Sequence, residues 1–336
     1  MATAEEEDIL GRINEDTIDD VVGADIIRKH LKRVKARKSS STLRNRRVAI
    51  RQFADFCERE EVSFDDISKE HINDWIDGFL LDEYAPRSIR TKVYDLSSVY
   101  QYLEGRGIVD ANPIEDVDLK DFSGTKIDEY TDVRYLEIEE YEAMVEACSK
   151  LRNQLLIELL WETGCRASEA VSIQISDIDR EERSINIETA KQGALSASKS
   201  RTVYYSRSFS RTLQKWLDRG GRSKYLGASS DGDGYLLVTK EAPSMAVNRV
   251  NEIVHKLASE DYADIQQVLY TDASGTERNR VTAHAFRHSY AVHRVKNGMP
   301  LVYLQDLLGH EEIEVTRKYL QFRDDDVAEA ERKYRP

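Results

Sequence analysis

The stretch TAHAFRHSYAVHRVKNG, residues 282–298, places three basic side chains within little more than one helical turn. His284 and Arg287 are three positions apart, and His284 and His288 are four apart, so all three share one face of a helix. Such a face suits a metal site, a structural polar cluster or a phosphate-binding site. The rest of the chain discriminates among these three interpretations.

The residues around the two imidazoles disfavour the metal interpretation. A zinc motif of the HExxH type carries Glu directly after its first His, whereas this chain has Ala285 at that position. The guanidinium of Arg287 projects from the same face, and a fixed cation beside a metal dication is electrostatically unfavourable. We therefore predict neither a metal ion nor another cofactor at this site.

Length and composition indicate a globular protein of two domains. The chain has 336 residues with 40% hydrophobic content. No window approaches the ~18 uninterrupted apolar residues of a membrane span, and the N-terminal MATAEEEDIL lacks a signal-peptide pattern. Cys57, Cys148 and Cys165 form no CxxC pair, so we expect reduced cysteines, a cytoplasmic protein and no membrane partner.

The net charge of −13 conceals an uneven distribution of charge. Residues 1–25 are rich in acids, whereas residues 26–53 contain many Lys and Arg and no acid. The basic run suits either a solvated helix face or a surface that follows phosphates, and we favour the second interpretation. The acid excess and the preference for Arg over Lys are typical of a salt-rich, halophilic cytoplasm.

Three helices are predicted in the first part of the chain. Ser41 or Thr42 caps the first, Ser68 begins the second with His71 in place of the usual acid of a capping box, and Pro86 begins the third. Their segments are LRNRRVAIRQFADFCERE (43–60), ISKEHINDWIDGFLL (67–81) and APRSIRTKVYDLSSVYQYLEGRG (85–107).

A polar segment without periodicity, residues 112–131, predicts a linker to a second domain. Two short strands are predicted in RSINIETA (183–190) and RTVYYS (201–206), and an exposed loop or hairpin in YTDASGTERNR (270–280). Helices are predicted at 137–149 and 151–163, and near 207–218, 245–258, 284–297, 300–308 and 313–333.

Three further segments of the second domain carry candidate chemistry. TGCRASEA (163–170) places Arg166 at a helix start, and ETAKQG (188–193) places Lys191 at a strand end. LLGHEEIEVTRKYLQF (307–322) turns at Gly309, presents His310 and reaches Tyr319 nine positions later. Each segment alone has an ordinary structural explanation, so their order along the chain is the informative feature.

In this order the segments resemble the tyrosine recombinase family of phage-type integrases and Xer-like recombinases. TGCRASEA resembles its first arginine box, HAFRHSYA its His-x-x-Arg box, and LLGHEEIEVTRKYLQF its Leu-Gly-His…Tyr box. The resemblance implies a mainly α fold with a small β-sheet, in which a helical SAM-like core-binding domain precedes an α+β catalytic domain. The implied segments are an acidic tail at 1–25, the core-binding domain at 26–110, a linker at 111–132 and the catalytic domain with a C-terminal helix at 133–336.

The resemblance also implies roles for individual side chains around a scissile phosphate. Tyr319 is the implied nucleophile, and Lys191, or Lys199 in the same hairpin, protonates the leaving 5′-hydroxyl. His284 accepts the tyrosine proton or bonds the phosphate, and His310 donates to a non-bridging oxygen. We interpret His288, which lies outside the matched motif positions, as structural support. The implied catalytic set is Arg166, Lys191, His284, Arg287, His310 and Tyr319.

The implied function is site-specific DNA recombination through a covalent 3′-phosphotyrosine. A type IB topoisomerase-like nicking-closing enzyme, a non-catalytic DNA-binding regulator and a metal-dependent hydrolase built on His284 and His288 are the alternatives. Double-stranded DNA is the implied partner, with a homotetramer on paired sites and a monomer off DNA. The expected phosphate contacts are Arg44, Arg46, Arg47, Arg87 and Arg90.

Overall fold

The structure is a computed structural model, and it describes residues 24–38, 40–123, 133–189, 200–226, 234–273 and 275–322. Backbone contacts divide the chain into two compact units, whose main bodies within those ranges are residues 24–123 for the first and residues 133–271 and 277–322 for the second. The first unit is helical throughout its regular structure. Its helices are α1 (Ala24–Arg37), α2 (Ser40–Arg59), α3 (Lys69–Leu81) and α4 (Pro86–Glu104), followed by a 3₁₀ turn at Lys120–Ser123.

Aromatic side chains form the centre of the first unit. The ring of Phe53 on α2 lies edge-on to Phe64 and Trp75, at centroid distances of 5.2 and 5.0 Å. Tyr100 on α4 packs against the same group and donates its hydroxyl hydrogen to the carbonyl of Phe64 at 2.9 Å. Edge-to-face packing of this kind stabilises the unit by fixing ring geometry as well as by burying area.

Two helix starts test the expectations for the first unit. The capping box at α3 is confirmed: Ser68 Oγ accepts from the His71 amide at 3.3 Å, and His71 Nδ1 accepts from the Ser68 amide at 3.2 Å. The expected cap of α2 at Ser41 or Thr42 is wrong, because both residues lie inside a helix that already includes Ser40.

Helix α1 is not among the helices predicted from the sequence. Its buried residues Ile27, Leu31 and Val34 recur at helical spacing and face the aromatic core. The many Lys and Arg residues on the other faces of this segment obscure the helical spacing of its apolar residues in the sequence.

The second unit is mainly helical with two small antiparallel sheets. Three strands form one sheet in the order in which they follow along the chain, and two later strands form a hairpin. Its α-helices are α5 (Ile138–Glu146), α6 (Leu151–Thr163), α7 (Ala167–Ser172), α8 (Arg207–Leu217), α9 (Val247–Ala258), α10 (Ala283–Lys296), α11 (Leu301–Leu308) and α12 (Glu314–Arg317). Its strands are β1 (Ile178–Asp179), β2 (Ser184–Glu188), β3 (Ser200–Tyr204), β4 (Val268–Thr271) and β5 (Glu277–Asn279), and its 3₁₀ turns are Ile175–Asp177, Ser223–Tyr225 and Lys318–Phe322.

The register of the three-stranded sheet decides which strand residues face the core. Ile185 pairs with Val203, and Ile187 pairs with Arg201, in antiparallel β2 and β3. These four residues are buried, because alternate positions of a strand point to the same side. An arginine therefore occupies a position of β3 where the pattern would place an apolar residue.

The segment that carries Tyr319 differs from the continuous helix expected at 313–333. Helix α12 ends at Arg317 and the chain continues as a 3₁₀ turn, Lys318–Phe322. The expected helix beyond residue 322 lies outside the described residues. The tighter turn places Tyr319 inward, so that its side chain is 1% exposed.

Gly164 ends α6 in the left-handed conformation, with φ +59°. A Cβ at this position would lie 2.6 Å from Cγ of Tyr290 on α10. We expect Gly164→Ala to lower the free energy of unfolding by about 3 kcal/mol, because left-handed strain adds to overpacking. Urea denaturation of the two proteins measures this difference.

Gly298→Ala is the matched control for that substitution. Gly298 also has a left-handed φ, +81°, but a Cβ there would meet no atom of the described chain within 4 Å. The control should cost about 1–2 kcal/mol through strain alone. Equal losses for the two variants would show that the ring of Tyr290 moves aside freely and that the close approach at Gly164 is unimportant.

Candidate active site

Arg287 is anchored by the carboxyl ends of two helices. Its Nη1 donates to the carbonyl of Gly164, at the end of α6, at 2.9 Å, and its Nη2 donates to that of Leu308, at the end of α11, at 2.5 Å. Both carbonyls lie at the negative ends of helix dipoles, which favours a cation between them. Burial, with the charge of Arg166, lowers the pKa of Arg287 to about 10. The guanidinium thus stays charged at neutral pH in a nearly solvent-free position.

Arg166 precedes α7 as its N-cap residue and is held by Glu169. The amide of Arg166 donates to Glu169 Oε2 at 2.9 Å, and its Nη1 donates to Glu169 Oε1, also at 2.9 Å. The side chain of Arg166 remains 36% exposed, whereas that of Glu169 is fully buried. The sequence predicts Arg166 at this helix start, and the structure places it there with a solvent-accessible guanidinium.

Glu169 and Arg201 are site residues that the sequence analysis did not single out. Arg201 Nη2 donates to Glu169 Oε2 at 2.7 Å, and its Nε donates to the carbonyl of Leu307 at 2.8 Å. Burial alone would raise the pKa of Glu169, but the hydrogen bond and charge of Arg201, together with Arg166, hold it below its usual range. The available signal was the strand alternation, which puts Arg201 on the core face of β3 beside Val203.

His310 follows the left-handed Gly309, as the sequence pattern predicts. Its Nδ1 lies 2.9 Å from Oγ1 of the buried Thr316, which fixes the ring. Burial, followed by the charges of Arg287 and Arg166, lowers the pKa of His310 to about 3. Gly309 has a left-handed φ of +65°, which favours glycine, and a Cβ there would lie 3.1 Å from Cδ of Arg201, so this side chain would have to shift by a few tenths of an ångström.

Tyr319 contacts His288 rather than His284. Its hydroxyl oxygen lies 2.7 Å from His288 Nδ1, and the His284 ring packs edge-on against His288 at a centroid distance of 4.5 Å. Burial raises the pKa of Tyr319 above its usual value, although the charges of Arg287 and Arg166 oppose this shift. The expectation of structural support from His288 therefore understates how near this ring is to the phenol.

Positive charge accumulates around the three histidines. The pKa values of His284 and His288 are lowered, first by burial and then by the charges of neighbouring groups that include Arg287 and Lys318. His284 as a whole residue is nevertheless exposed to solvent. Among the described residues the site combines several cations with one buried carboxylate, Glu169, and this excess of positive charge favours an anionic ligand such as a phosphate. Within the described ranges, no three His, Cys, Asp or Glu side chains are grouped as a metal ion would require.

The two candidate lysines, Lys191 and Lys199, lie outside the described residues. The structure brings the other five candidates into one electrostatic neighbourhood. The charges of Arg166 and Arg287 both act on His284, His310 and Tyr319.

The arginines expected to contact DNA lie in the first unit and differ in exposure. Arg44 and Arg87 are exposed, whereas Arg47 and Arg90 are half-buried. Arg46 does not fit the expectation: its Nε lies 3.4 Å from Asp95 Oδ1, both side chains are 13% exposed, and its Nη1 approaches His30. We infer that Arg46 joins α2 to α4 and α1 instead of contacting phosphate.

Among the helices of the described residues, none combines the length and the apolar character that a membrane span requires.

A helical unit followed by an α+β unit, in which arginines and histidines surround a buried tyrosine, defines an integrase-like class of protein. Residues 134–325 match the model of the phage integrase family, and residues 24–121 match that of the phage integrase SAM-like domain. The chain belongs to the phage integrase family. This confirms the expected family and the expected fold class.

Relatives match over most of the chain. It is 28% identical to tyrosine recombinase XerC of Halalkalibacterium halodurans over 306 residues, which cover 89% of this chain and 92% of that protein. It is 24% identical to tyrosine recombinase XerD of Rickettsia bellii, over 83% of this chain and 87% of that protein.

Solved structures share the fold. The XerH site-specific recombinase bound to difH substrate in a pre-cleavage complex has a TM-score of 0.63 at 17% identity, covering 92% of this chain and 91% of that chain. A lambda integrase (75–356) dimer bound to a COC′ core site has a TM-score of 0.62 at 17% identity, covering 90% and 96%.

Proposed function

We propose that the chain is a site-specific DNA recombinase that cleaves and rejoins strands through a covalent 3′-phosphotyrosine on Tyr319. The observation that carries this proposal is the placement of a buried tyrosine in the field of Arg166 and Arg287, within a chain of the phage integrase family. Arg166, His284, Arg287, His310 and Tyr319 are the proposed catalytic residues among those described.

The chemistry follows from the properties of these side chains. Tyr319 Oη attacks the phosphorus, its bond to phosphorus forms, and the bond to the 5′-oxygen breaks, so the phosphodiester energy is kept in the protein–DNA bond. The two guanidiniums offset the charge that gathers on the non-bridging oxygens, at ~3 kcal/mol for each well-placed donor. His310 is proposed to donate to one of these oxygens. A 5′-hydroxyl from a second strand reverses the step and rejoins the DNA.

The leaving 5′-oxygen needs a proton, and a lysine in the segment between β2 and β3 is proposed to supply it. Lys191 is the first candidate and Lys199 is the alternative. An ammonium group suits this task because it can donate a proton and bear charge next to the phosphate. This assignment rests on the family resemblance.

The helical unit, residues 26–110, is proposed to hold double-stranded DNA, after an acidic tail at 1–25 and before a linker at 111–132 and the catalytic domain at 133–336. Arg44, Arg47, Arg87 and Arg90 are the proposed phosphate contacts. We further propose a homotetramer on paired sites and a monomer off DNA, acting in a salt-rich, halophilic cytoplasm. Each phosphate contact releases counterions, so binding should weaken steeply as salt rises.

Arg44→Gln should reduce the slope of log affinity against log salt by about one, because one phosphate contact is removed. Arg46→Gln is the matched control on the same helix, since Arg46 pairs with Asp95. It should lower the thermal stability of the protein and leave the slope unchanged. Fluorescence anisotropy across a salt series measures both slopes, and a larger change for Arg46→Gln would reverse our assignment of the two arginines.

A covalent trap tests the proposed function. Fragments of the genome that encodes this chain are nicked at random. Where a nick lies near the cleavage site, the short strand that carries the new 5′-hydroxyl diffuses away after cleavage, so the covalent adduct cannot be rejoined. The protein is incubated with these fragments with and without EDTA, and adducts that survive denaturant are digested for peptide mapping. We expect 3′-phosphate adducts on the peptide that contains Tyr319, with or without EDTA. DNA retention without adducts would contradict the proposal and favour a non-catalytic regulator.

A further inference from the structure

The hydroxyl of Tyr319 has a defined partner on α10. Its oxygen lies 2.7 Å from His288 Nδ1, a normal hydrogen-bond distance, and the two rings are tilted at a centroid distance of 5.7 Å. The phenol is 1% exposed and packs in a cluster with Tyr290, Leu304 and Leu308. Its hydroxyl orientation is therefore set by the protein rather than by water.

The direction of this hydrogen bond follows from the protonation states of the two groups. Burial raises the pKa of Tyr319, so the phenol keeps its proton. Burial, followed by the charges of His284 and Lys318, lowers the pKa of His288 to about 2, so the imidazole is neutral. A buried phenol O–H needs an acceptor, so the phenol donates and His288 Nδ1 accepts, with the ring as its Nε2–H tautomer.

We propose that His288 holds the Tyr319 hydroxyl in place and accepts its proton as the phenol attacks the scissile phosphate. The inference rests on the proposed function and names a catalytic residue within it. It also replaces the expectation that His284 takes this proton, because the Tyr319 hydroxyl contacts His288 Nδ1, whereas the His284 ring packs edge-on against that of His288.

The proton transfer balances within the reaction. The Tyr319 O–H bond breaks and its proton moves to His288 Nδ1, while the Oη–P bond forms and the P–O5′ bond breaks. The 5′-oxygen takes its proton from the lysine proposed above. When the strand is rejoined, His288 returns the proton to the phenol oxygen, so both groups regain their starting states.

The charges around His288 explain why proton transfer would wait for DNA. His284 and Arg287 face the ring from α10, Lys318 and Tyr319 from the 3₁₀ turn, and Arg134 from the segment before α5. The cations among these groups disfavour an imidazolium in the free protein. A bound phosphodiester would offset them and raise the basicity of His288, so the base gains strength where its substrate lies.

Three substitutions separate the position of the acceptor atom from its basicity. His288→Asn places an amide oxygen near the position of Nδ1, whereas His288→Gln places it near that of Nε2, and His288→Ala has no acceptor. With the same nicked genomic fragments, we expect His288→Ala and His288→Gln to slow adduct formation by about 100-fold at single turnover. His288→Asn should recover part of the rate, because it can orient the phenol without taking its proton.

The pH profile distinguishes a base from a merely structural side chain. Wild-type adduct formation should level off once His288 is neutral in the DNA complex, whereas in His288→Asn it should keep rising with pH, because hydroxide must remove the proton. His293→Asn is the control, since His293 lies on the same helix and bonds the Leu136 carbonyl. It should keep the wild-type profile. Thermal denaturation of every variant identifies losses of folded protein.

Two results would overturn the proposal while leaving the proposed function intact. One is a wild type that forms Tyr319 adducts together with a folded His288→Ala that forms them at a similar rate. The other is an equal rate and the same pH profile for the Asn and Gln variants. A wild type that binds these fragments without forming adducts would instead contradict the proposed function itself.

Discussion

Tyr319→Phe is expected to reduce covalent adduct formation by ~10³-fold or more, because the substitution removes the nucleophile itself. The phenylalanine ring keeps the packing against Leu304 and Leu308 and loses the hydrogen bond to His288. That loss should cost about 1 kcal/mol of folding free energy, so the variant should be folded. The measurement is the yield of denaturant-resistant adducts on nicked genomic fragments, with DNA retention measured in parallel and expected to be unchanged.

Tyr290→Phe is the matched control, because Tyr290 is a buried tyrosine of the same cluster. This control loses a hydroxyl from a similar environment and should still form adducts. Adducts that persist in Tyr319→Phe, attached to another residue, would identify a different nucleophile. If DNA retention were lost together with cleavage, the substitution would have damaged the protein more widely than the removal of one hydroxyl should.

The second unit shows which features of the fold the sequence could predict. Helix α6 lies at 151–163 as expected, because its apolar run is long and its stop at Gly164 is a left-handed cap. Short irregular elements were harder to predict from the sequence. Strand β1 has two residues, too few for an alternation pattern, and the 3₁₀ turn at Lys318–Phe322 looks helical in sequence because both helix types bury residues at similar spacing.

The candidate site was predictable to the extent that its residues occur in ordered motifs. Arg166 and His310 were found because each lies beside a helix boundary that the sequence marks, and Arg287 because it shares a helix face with His284. The contact between His288 and Tyr319 was not, because the residues are 31 positions apart and the packing of α10 against the 3₁₀ turn decides it. Arg201 was also missed, although the alternation of β3 puts it on the same face as Val203, and its pairing with Ile187 shows that this face is buried.

Glu169→Gln is expected to lower the free energy of unfolding by about 3–5 kcal/mol, because it leaves the Arg201 guanidinium buried without its counter-charge. The side chains of Glu169 and Arg201 are 0% and 7% exposed, and they lie 2.7 Å apart. Arg166 would lose the same carboxylate, so adduct formation should also fall. Urea denaturation at neutral pH gives the stability, and the covalent trap gives the activity.

The pH dependence of stability provides a sharper test of this ion pair. The pKa of Glu169 is lower in the folded chain than its usual value. The contribution of Glu169 to folding stability is therefore complete above its pKa in the unfolded chain, and it is lost as the pH falls through its pKa in the folded chain. Wild type should lose stability in acid faster than Glu169→Gln, so the difference between the two proteins should shrink as the pH falls.

Glu158→Gln makes the same chemical change at a buried carboxyl group whose pKa is shifted in the opposite direction. Glu158 accepts from Gln154 at 2.7 Å and Thr212 at 3.1 Å, and burial raises its pKa above the usual value. Its ionised form therefore costs stability as the pH rises, so Glu158→Gln should be neutral or stabilising at neutral pH. If Glu169→Gln proved equally mild, Arg201 would not depend on Glu169, and this network could not be what holds Arg166 in place. If the free energy of unfolding fell in Glu169→Gln and rose in Glu158→Gln, the negative charge of the carboxylate at position 169 would be shown to stabilise the fold.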